Sequence, residues 1–305
     1  MDKPDPASPP PDAAPPPEHT PPAPEGGTPP APEGGTPPAP ASGPKLEAKL
    51  VAPERGWQWV LQGFALFRPF PAFWVLLLLF YIFLMLMVRV VPVLGPILLV
   101  ILVPTISAGY MVACHAANHK LPPLPAHLFM PLRQNTRQQI ALGLAYLACM
   151  TCLMLVSRLI GGDVIFRLAP EGVPAMEMRT GGLVALALYT PVMLAFWFAP
   201  SLCFWGGVGA GKALFFSFFA SWRNRNAFMV YSAGWMLFGA IIPMAAGAIL
   251  GAVLPAGPSA AAFAVFLMLP YMIAVACAIM VSFYASYVDV FGAPPAPKLQ
   301  AVKPR

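Results

Sequence analysis

The chain has 305 residues, 58% of them hydrophobic and 10% charged, with a mean hydropathy of +0.69 and a formal net charge of +6. That composition does not suit an ordinary polar surface, which excludes a soluble globular protein. The apolar residues come in continuous runs of roughly 20 rather than alternating segments of roughly ten, which excludes an outer-membrane β-barrel.

Residues 1–44 are of low complexity, with the unit TPPAPEGG at Thr20–Gly27 and again at Thr28–Gly35, then a truncated copy, TPPAP, from Thr36. The tract has almost no apolar side chains to bury, so it is expected to be a disordered, proline-rich tail. Its prolines favour extended polyproline II and its glycine pairs supply joints, a reach of at most about 130 Å at ~3.1 Å per residue. It serves either as a tether or proline-recognition ligand, or simply as a solvated tail. The opening lacks a basic segment followed by an apolar one, so the first span is expected to act as its own insertion signal.

Residues 45–69 read as a linker and an interfacial helix. Trp57, Val60, Leu61, Phe64 and Phe67 recur at helical spacing, with Arg55, Gln58, Gln62 and Arg68 largely off that stripe. The tryptophans Trp57 and Trp59 suit a headgroup region. Six spans then fill residues 70–289: Phe70–Val88, Pro92–Cys114, Gln138–Leu159, Gly182–Trp205, Ala227–Val253 and Ala260–Val288. Each is long enough to cross a hydrocarbon core of about 30 Å at ~1.5 Å per residue. The predicted fold class is all-α, a polytopic helical membrane bundle, with residues 290–305 a short tail.

A second interfacial helix is predicted over Lys212–Arg225, and it matches the first. Phe64-Ala65-Leu66-Phe67-Arg68 followed by Ala72-Phe73 aligns at constant offset with Phe219-Ala220-Ser221-Trp222-Arg223 followed by Ala227-Phe228. A weaker copy, Phe129-Met130-Pro131-Leu132-Arg133, precedes the third span. Every odd-numbered span is thus introduced by an aromatic segment ending in arginine. This pattern predicts three parallel repeats of one unit (interfacial helix, span in, span out).

Charge sets the orientation. Segments on one side carry Arg55, Arg68, Lys120, Arg133, Arg137, Lys212, Arg223, Arg225, Lys298 and Lys303, and the other side carries only Arg89, Arg158, Arg167 and Arg179. The positive-inside rule makes the richer side, and both termini, cytoplasmic. Topology accounts for the net charge, so no nucleic-acid partner is expected.

The motifs that suggest chemistry are weak. Cys149 and Cys152 lie one turn apart in an apolar span with no basic neighbour to stabilise a thiolate, and read as small packing residues. Gly206–Lys212 matches G-x-x-x-x-G-K, but Ala213 stands where a phosphate loop needs Ser or Thr, and no strand precedes it. His115 and His119 share a helix face beside Cys114, a spacing that can hold zinc or copper, yet no carboxylate lies nearby. The spans hold little more than Ser107, Thr151, Thr190, Ser201, Ser232 and Ser282 with tyrosines, and Arg89, Arg158 and Asp289 lie at edges, which argues against ion-coupled transport. Pro104, Pro191, Pro200, Pro243 and Pro270 interrupt spans and free carbonyls. Gly247 and Gly251 form a GxxxG expected to pack the fifth span within the monomer.

Arg55-Gly56-Trp57-Gln58-Trp59, then His127-Leu128-Phe129, then Phe198-Ala199-Pro200 followed by Ala213-Leu214-x-x-Ser217-Phe218-x-Ala220-x-x-Arg223-Asn224, recur together in this order. Over roughly residues 52–290 this pattern resembles an uncharacterised family of bacterial inner-membrane proteins with about six spans. More loosely, it is similar to the membrane domain of glycerophosphoryl diester phosphodiesterases, whose catalytic domain has no counterpart here. The resemblance implies location but no activity, catalytic residue or cofactor. The expectation is a non-enzymatic inner-membrane component acting through lipid or protein partners, a second copy included. Arg68, Arg133 and Arg223 would contact phosphates, with Trp57, Trp59 and Trp222 as interface anchors. A passive transporter or channel for a small or lipid-like solute is the alternative.

Overall fold

The structure, a computed structural model, describes residues 47–160, 164–168, 174–178, 180–253 and 257–295. The predicted proline-rich tail, residues 1–44, lies outside the described residues.

The amphipathic helix α1 (Arg55–Phe67) leads into the spans α2 (Pro71–Arg89) and α3 (Leu94–Asn118). A 3₁₀ turn (Pro125–Phe129) and a short helix α4 (Met130–Gln134) introduce α5 (Thr136–Leu159) and α6 (Thr180–Gly206). Between these two spans β1 (Val164–Leu168) and β2 (Pro174–Met178) pair antiparallel, Val164 opposite Met178. That hairpin sits where a plain loop was expected. The amphipathic α7 (Ala210–Arg223) then leads into a composite span, α8 (Arg225–Met236), a π-helical turn (Leu237–Ile241) and α9 (Ile242–Val253). The last span is α10 (Pro258–Phe291). Six helices or composite helices are long and apolar enough to cross a membrane, with mean hydropathy between 1.5 and 2.5. The protein is an all-α polytopic bundle, apart from the hairpin.

One packing rule occurs three times. The 3₁₀ turn and α4 lie on α3, and Phe129 meets Phe80 of α2 edge-on at 6.2 Å. Helix α7 lies on α6 and, less extensively, on α5. Helix α1 lies on α10 and α8. Each amphipathic segment therefore packs on the hairpin of the preceding unit, and the first packs on the last, so the bundle closes as a ring. Glycine permits the closest of these approaches. A methyl group on Gly56 would collide with the Ala227 carbonyl of α8, and one on Gly109 would sit 2.5 Å from the Leu128 backbone.

Two helices borrow hydrogen bonds near their prolines. In α6, two residues before Pro200, the Phe198 amide donates to Ser217 Oγ (2.9 Å), which donates in turn to the Leu194 carbonyl (2.9 Å). A serine of α7 thus bridges a turn that the backbone alone would close. Before Pro243, the Ile242 amide bonds to Leu237 in the wider π register. The same register would assign Phe238's carbonyl to Pro243, which has no N–H, and the Tyr271 hydroxyl of α10 donates to it instead at 2.7 Å.

The GxxxG expectation needs correction. Among the described residues no atom lies within 4 Å of where a Cβ would stand on Gly247 or Gly251, so within them the motif packs against nothing. The Cys149–Cys152 pair is likewise no core element: Cys149 is half-buried and Cys152 exposed.

Candidate functional site

The even number of spans brings both ends of the described chain to one face. It carries Lys49, Arg55, Arg68, Lys120, Arg133, Arg137, Lys212, Arg223 and Arg225 against Glu47, Glu54 and Asp289, and we call it the basic face.

Its interior is a polar clasp between the ends of the chain. Arg55 forms a two-pronged pair with Asp289, Nε to Oδ2 at 2.8 Å and Nη2 to Oδ1 at 2.7 Å. Trp59 Nε1 donates to the same Oδ2 at 2.6 Å. Trp59 is fully buried, with its ring against Phe228 and Tyr231. This corrects its assignment as an interface anchor: its indole N–H is used inside the protein, not at a headgroup. Trp57 is half-buried and stacks on Phe238 at 6.1 Å. The buried stripe of α1 is Gly56, Trp59, Val60 and Gly63, rotated from the predicted one, and Leu61 faces outward.

Asn224, buried between α7 and α8, holds the segment that enters α1. Its Oδ1 accepts from the Val51 amide (2.8 Å), and its Nδ2 donates to the Lys49 and Ala220 carbonyls (3.0 and 2.9 Å). The Lys49 amide completes the clamp on the Val290 carbonyl at 2.8 Å.

The histidines have partners. His115 Nε2 donates to the Pro295 carbonyl (3.2 Å), which leaves Nδ1 to accept from the Tyr284 hydroxyl (2.8 Å). His119 Nδ1 donates to the carbonyl of His115 (2.9 Å). Among the described residues, no three His, Cys, Asp or Glu side chains converge on a metal position. His127, outside the spans, accepts the Leu124 amide at Nδ1 (3.1 Å), and burial pushes its imidazole below the ordinary 6.5. The Gly206–Lys212 run is a turn, with Gly207 at φ +62° and the α7 amide of Ala210 bonded to Gln138 Oε1 (2.9 Å).

The remaining predicted residues lie on the surface. Arg68, Arg133 and Arg223 are exposed at the ends of their three amphipathic segments, and the structure does not bring them together. Among the described residues the Arg55–Asp289 pair is the one ion pair, so none of the three meets a carboxylate. Trp222 is 52% exposed, stacks on Phe218 at 6.2 Å and carries Arg225 over its ring at 5.7 Å. Phe215 and Phe219 continue its stripe outward along α7.

Sequence reasoning missed a cavity of about 340 Å³ between α2, α3, α5, α6 and α10. Tyr81, Tyr110, Tyr146, Tyr189 and Ser107 contribute its hydroxyls. On the side of the basic face, Trp197 closes it against Phe283 (4.6 Å) and Phe228 (5.1 Å). The tyrosines come from four separate helices, so no local pattern announces the cavity. The one signal was that tyrosines recur through otherwise apolar spans.

No family model matches the chain, and no solved structure matches it. A probable inner membrane protein of Burkholderia thailandensis is 33% identical to it over 264 residues, covering 82% of this chain and 96% of the relative. That likeness spans nearly the whole of the relative and agrees with six apolar helices. The chain is a multi-pass inner-membrane protein and belongs to the same family as that Burkholderia protein.

Proposed function

We propose that this protein is a non-enzymatic component of the inner membrane that works by gathering anionic lipid headgroups on its basic face, with that face cytoplasmic. One observation carries the reading: Arg68, Arg133 and Arg223 end the three amphipathic segments of the ring, exposed and without a carboxylate among the described residues. Guanidinium groups placed there reach headgroup depth, where each basic side chain near an anionic leaflet contributes about 1 kcal/mol. The exposed stripe of Phe215, Phe219 and Trp222 gives α7 the apolar face that an interfacial helix inserts beside those headgroups. The excess of arginine and lysine on this face supports its cytoplasmic orientation.

The test is native mass spectrometry of the full chain released from phosphatidylglycerol-containing nanodiscs. The Arg68→Ala/Arg133→Ala/Arg223→Ala variant is expected to lose most of its retained phosphatidylglycerol while keeping its orientation in a reporter-fusion assay. Unchanged lipid retention together with inverted or mixed orientation would leave these arginines as topology markers and sink the reading.

A passive carrier for a lipid-like solute is the second reading. The intramembrane cavity favours it, and the aromatic closure beneath that cavity weighs against an open channel.

A further inference from the structure

We infer that the intramembrane cavity is a binding site for an uncharged lipid-like molecule that carries a carbonyl or hydroxyl oxygen and enters sideways from the bilayer. The inference is independent of the headgroup reading, since it uses none of the arginines.

Depth comes first. Tyr81 stands ten residues into α2, about 15 Å from the basic end, and Ser107 stands eleven residues before the end of α3, about 17 Å. Both positions fall near the middle of a hydrocarbon core about 30 Å thick. A cavity at that depth meets acyl chains, not water.

Access comes next. Val103, Met193 and Met280 all line the cavity and are 38%, 38% and 36% exposed, so the cavity reaches the surface of the bundle at span level. On the side of the basic face the Trp197–Phe283–Phe228–Tyr231 cluster blocks it. Ser107 is exposed although Pro104 to Ile106 before it and Ala108 to Ala117 after it are buried. It is one of the residues that line the cavity.

The lining sets the chemistry of the ligand. Among the described residues no charged side chain contributes to it, so an ion or a charged headgroup would be unpaired in hydrocarbon. Among the described residues, neither the Ser107 nor the Tyr81 hydroxyl has a hydrogen-bond partner, whereas Tyr110 donates to the Leu77 carbonyl at 3.4 Å. Two hydroxyls without partners, facing one space in a dry environment, call for an oxygen to pair with. Size agrees: an apolar cavity of about 150 Å³ takes benzene, so 340 Å³ takes a ring or ester group plus several chain carbons. The methionines give walls that adapt to a chain.

The test uses the full-length protein in nanodiscs and a dioleoylglycerol analogue with a photoreactive diazirine in one chain, with the matching phosphatidylglycerol analogue as the charged control. Labelling by the neutral probe is expected to saturate, to map to α3 and α6 around Ser107 and Met193, and to be competed by unlabelled dioleoylglycerol. Ser107→Trp, which fills the cavity, is expected to reduce it at least tenfold. The Tyr81→Phe/Ser107→Ala variant, which removes two oxygens and no carbon, is expected to shift half-saturation 5- to 20-fold, and it decides the matter if Ser107→Trp does not fold. Labelling that never saturates and spreads over the outer faces of α2 and α9 would overturn the inference. So would equal labelling of the cavity by the charged probe, or a response unchanged in the double variant.

Discussion

The two halves of α10 belong to different environments. Its second half buries Val275, Ala278, Val281, Tyr284, Tyr287 and Val290, whereas in the first half Phe263, Val265, Phe266, Leu267 and Leu269 are all exposed. Its neighbour α9 has no buried residue at all. In water such an exposed hairpin would be untenable, but lipid tails solvate leucine as well as another leucine does, so apolar exposure costs nothing there. Cohesion in this bundle therefore comes from shape and polar pairing, and both are concentrated toward the basic face, where α1, α8 and the end of α10 close the ring. Beyond the Tyr271–Phe238 bond, the outer half is held by the chain and by lipid.

Glycine substitutions break that comparison most directly. Gly56→Val forces a side chain into the α8 backbone and is expected to cost at least ~3 kcal/mol, read as loss of folded protein in a denaturant titration of detergent-purified material. Asp289→Ala comes next. It frees Arg55, which is exposed enough to rehydrate, but strands the buried Trp59 indole, so about 2–3 kcal/mol is expected, mostly from Trp59. Trp59→Phe should then cost less in the same background than alone, its remaining cost being the cavity, and a fully additive double variant would show that the clasp does not act as a unit.

A smaller effect depends on pH. Burial lowers His127's pKa in the folded state below its unfolded value of 6.5, so the neutral ring is the native one. Its contribution to stability is complete above 6.5 and is lost as pH falls toward and through the folded value. Thermal scans from pH 7.5 to 5 should show a decline that His127→Gln flattens. The smallest effect belongs to the outer half: Gly247→Leu should change stability by no more than ~0.5 kcal/mol. A loss well above that would mean that a second copy or another protein packs on α9.

Much of the architecture was legible because its causes are local. A span announces itself by length and composition, and the ends of all six fell within a few residues of those observed. The amphipathic segments were legible too, as aromatic runs ending in Arg68, Arg133 and Arg223. What α1 buries was not. Trp57 and Trp59 lie two positions apart, on different sides of a helix, and which one turns inward is decided by Asp289, 230 residues downstream of Trp59. Gly247 and Gly251 misled for the opposite reason: the motif permits close packing without supplying a partner. Gln138, Asn224 and Ser217 cap, clamp and bridge in ways that only the closed ring explains. The exposed arginines were found at the sequence level, but the cavity was not, since its hydroxyls come from four helices and meet only once those assemble.

The clasp between Arg55 and Asp289 also sets a timetable. At about 5–20 residues per second, a ribosome needs roughly 12–47 s to synthesise the 234 residues that separate them. Through that interval α1 has been made but the α10 part of its binding surface has not, and Trp59 waits without an acceptor. A nascent chain arrested before α10 would display the α10-facing side of that helix, a difference by which a protease surveying the membrane would tell finished molecules from abandoned ones.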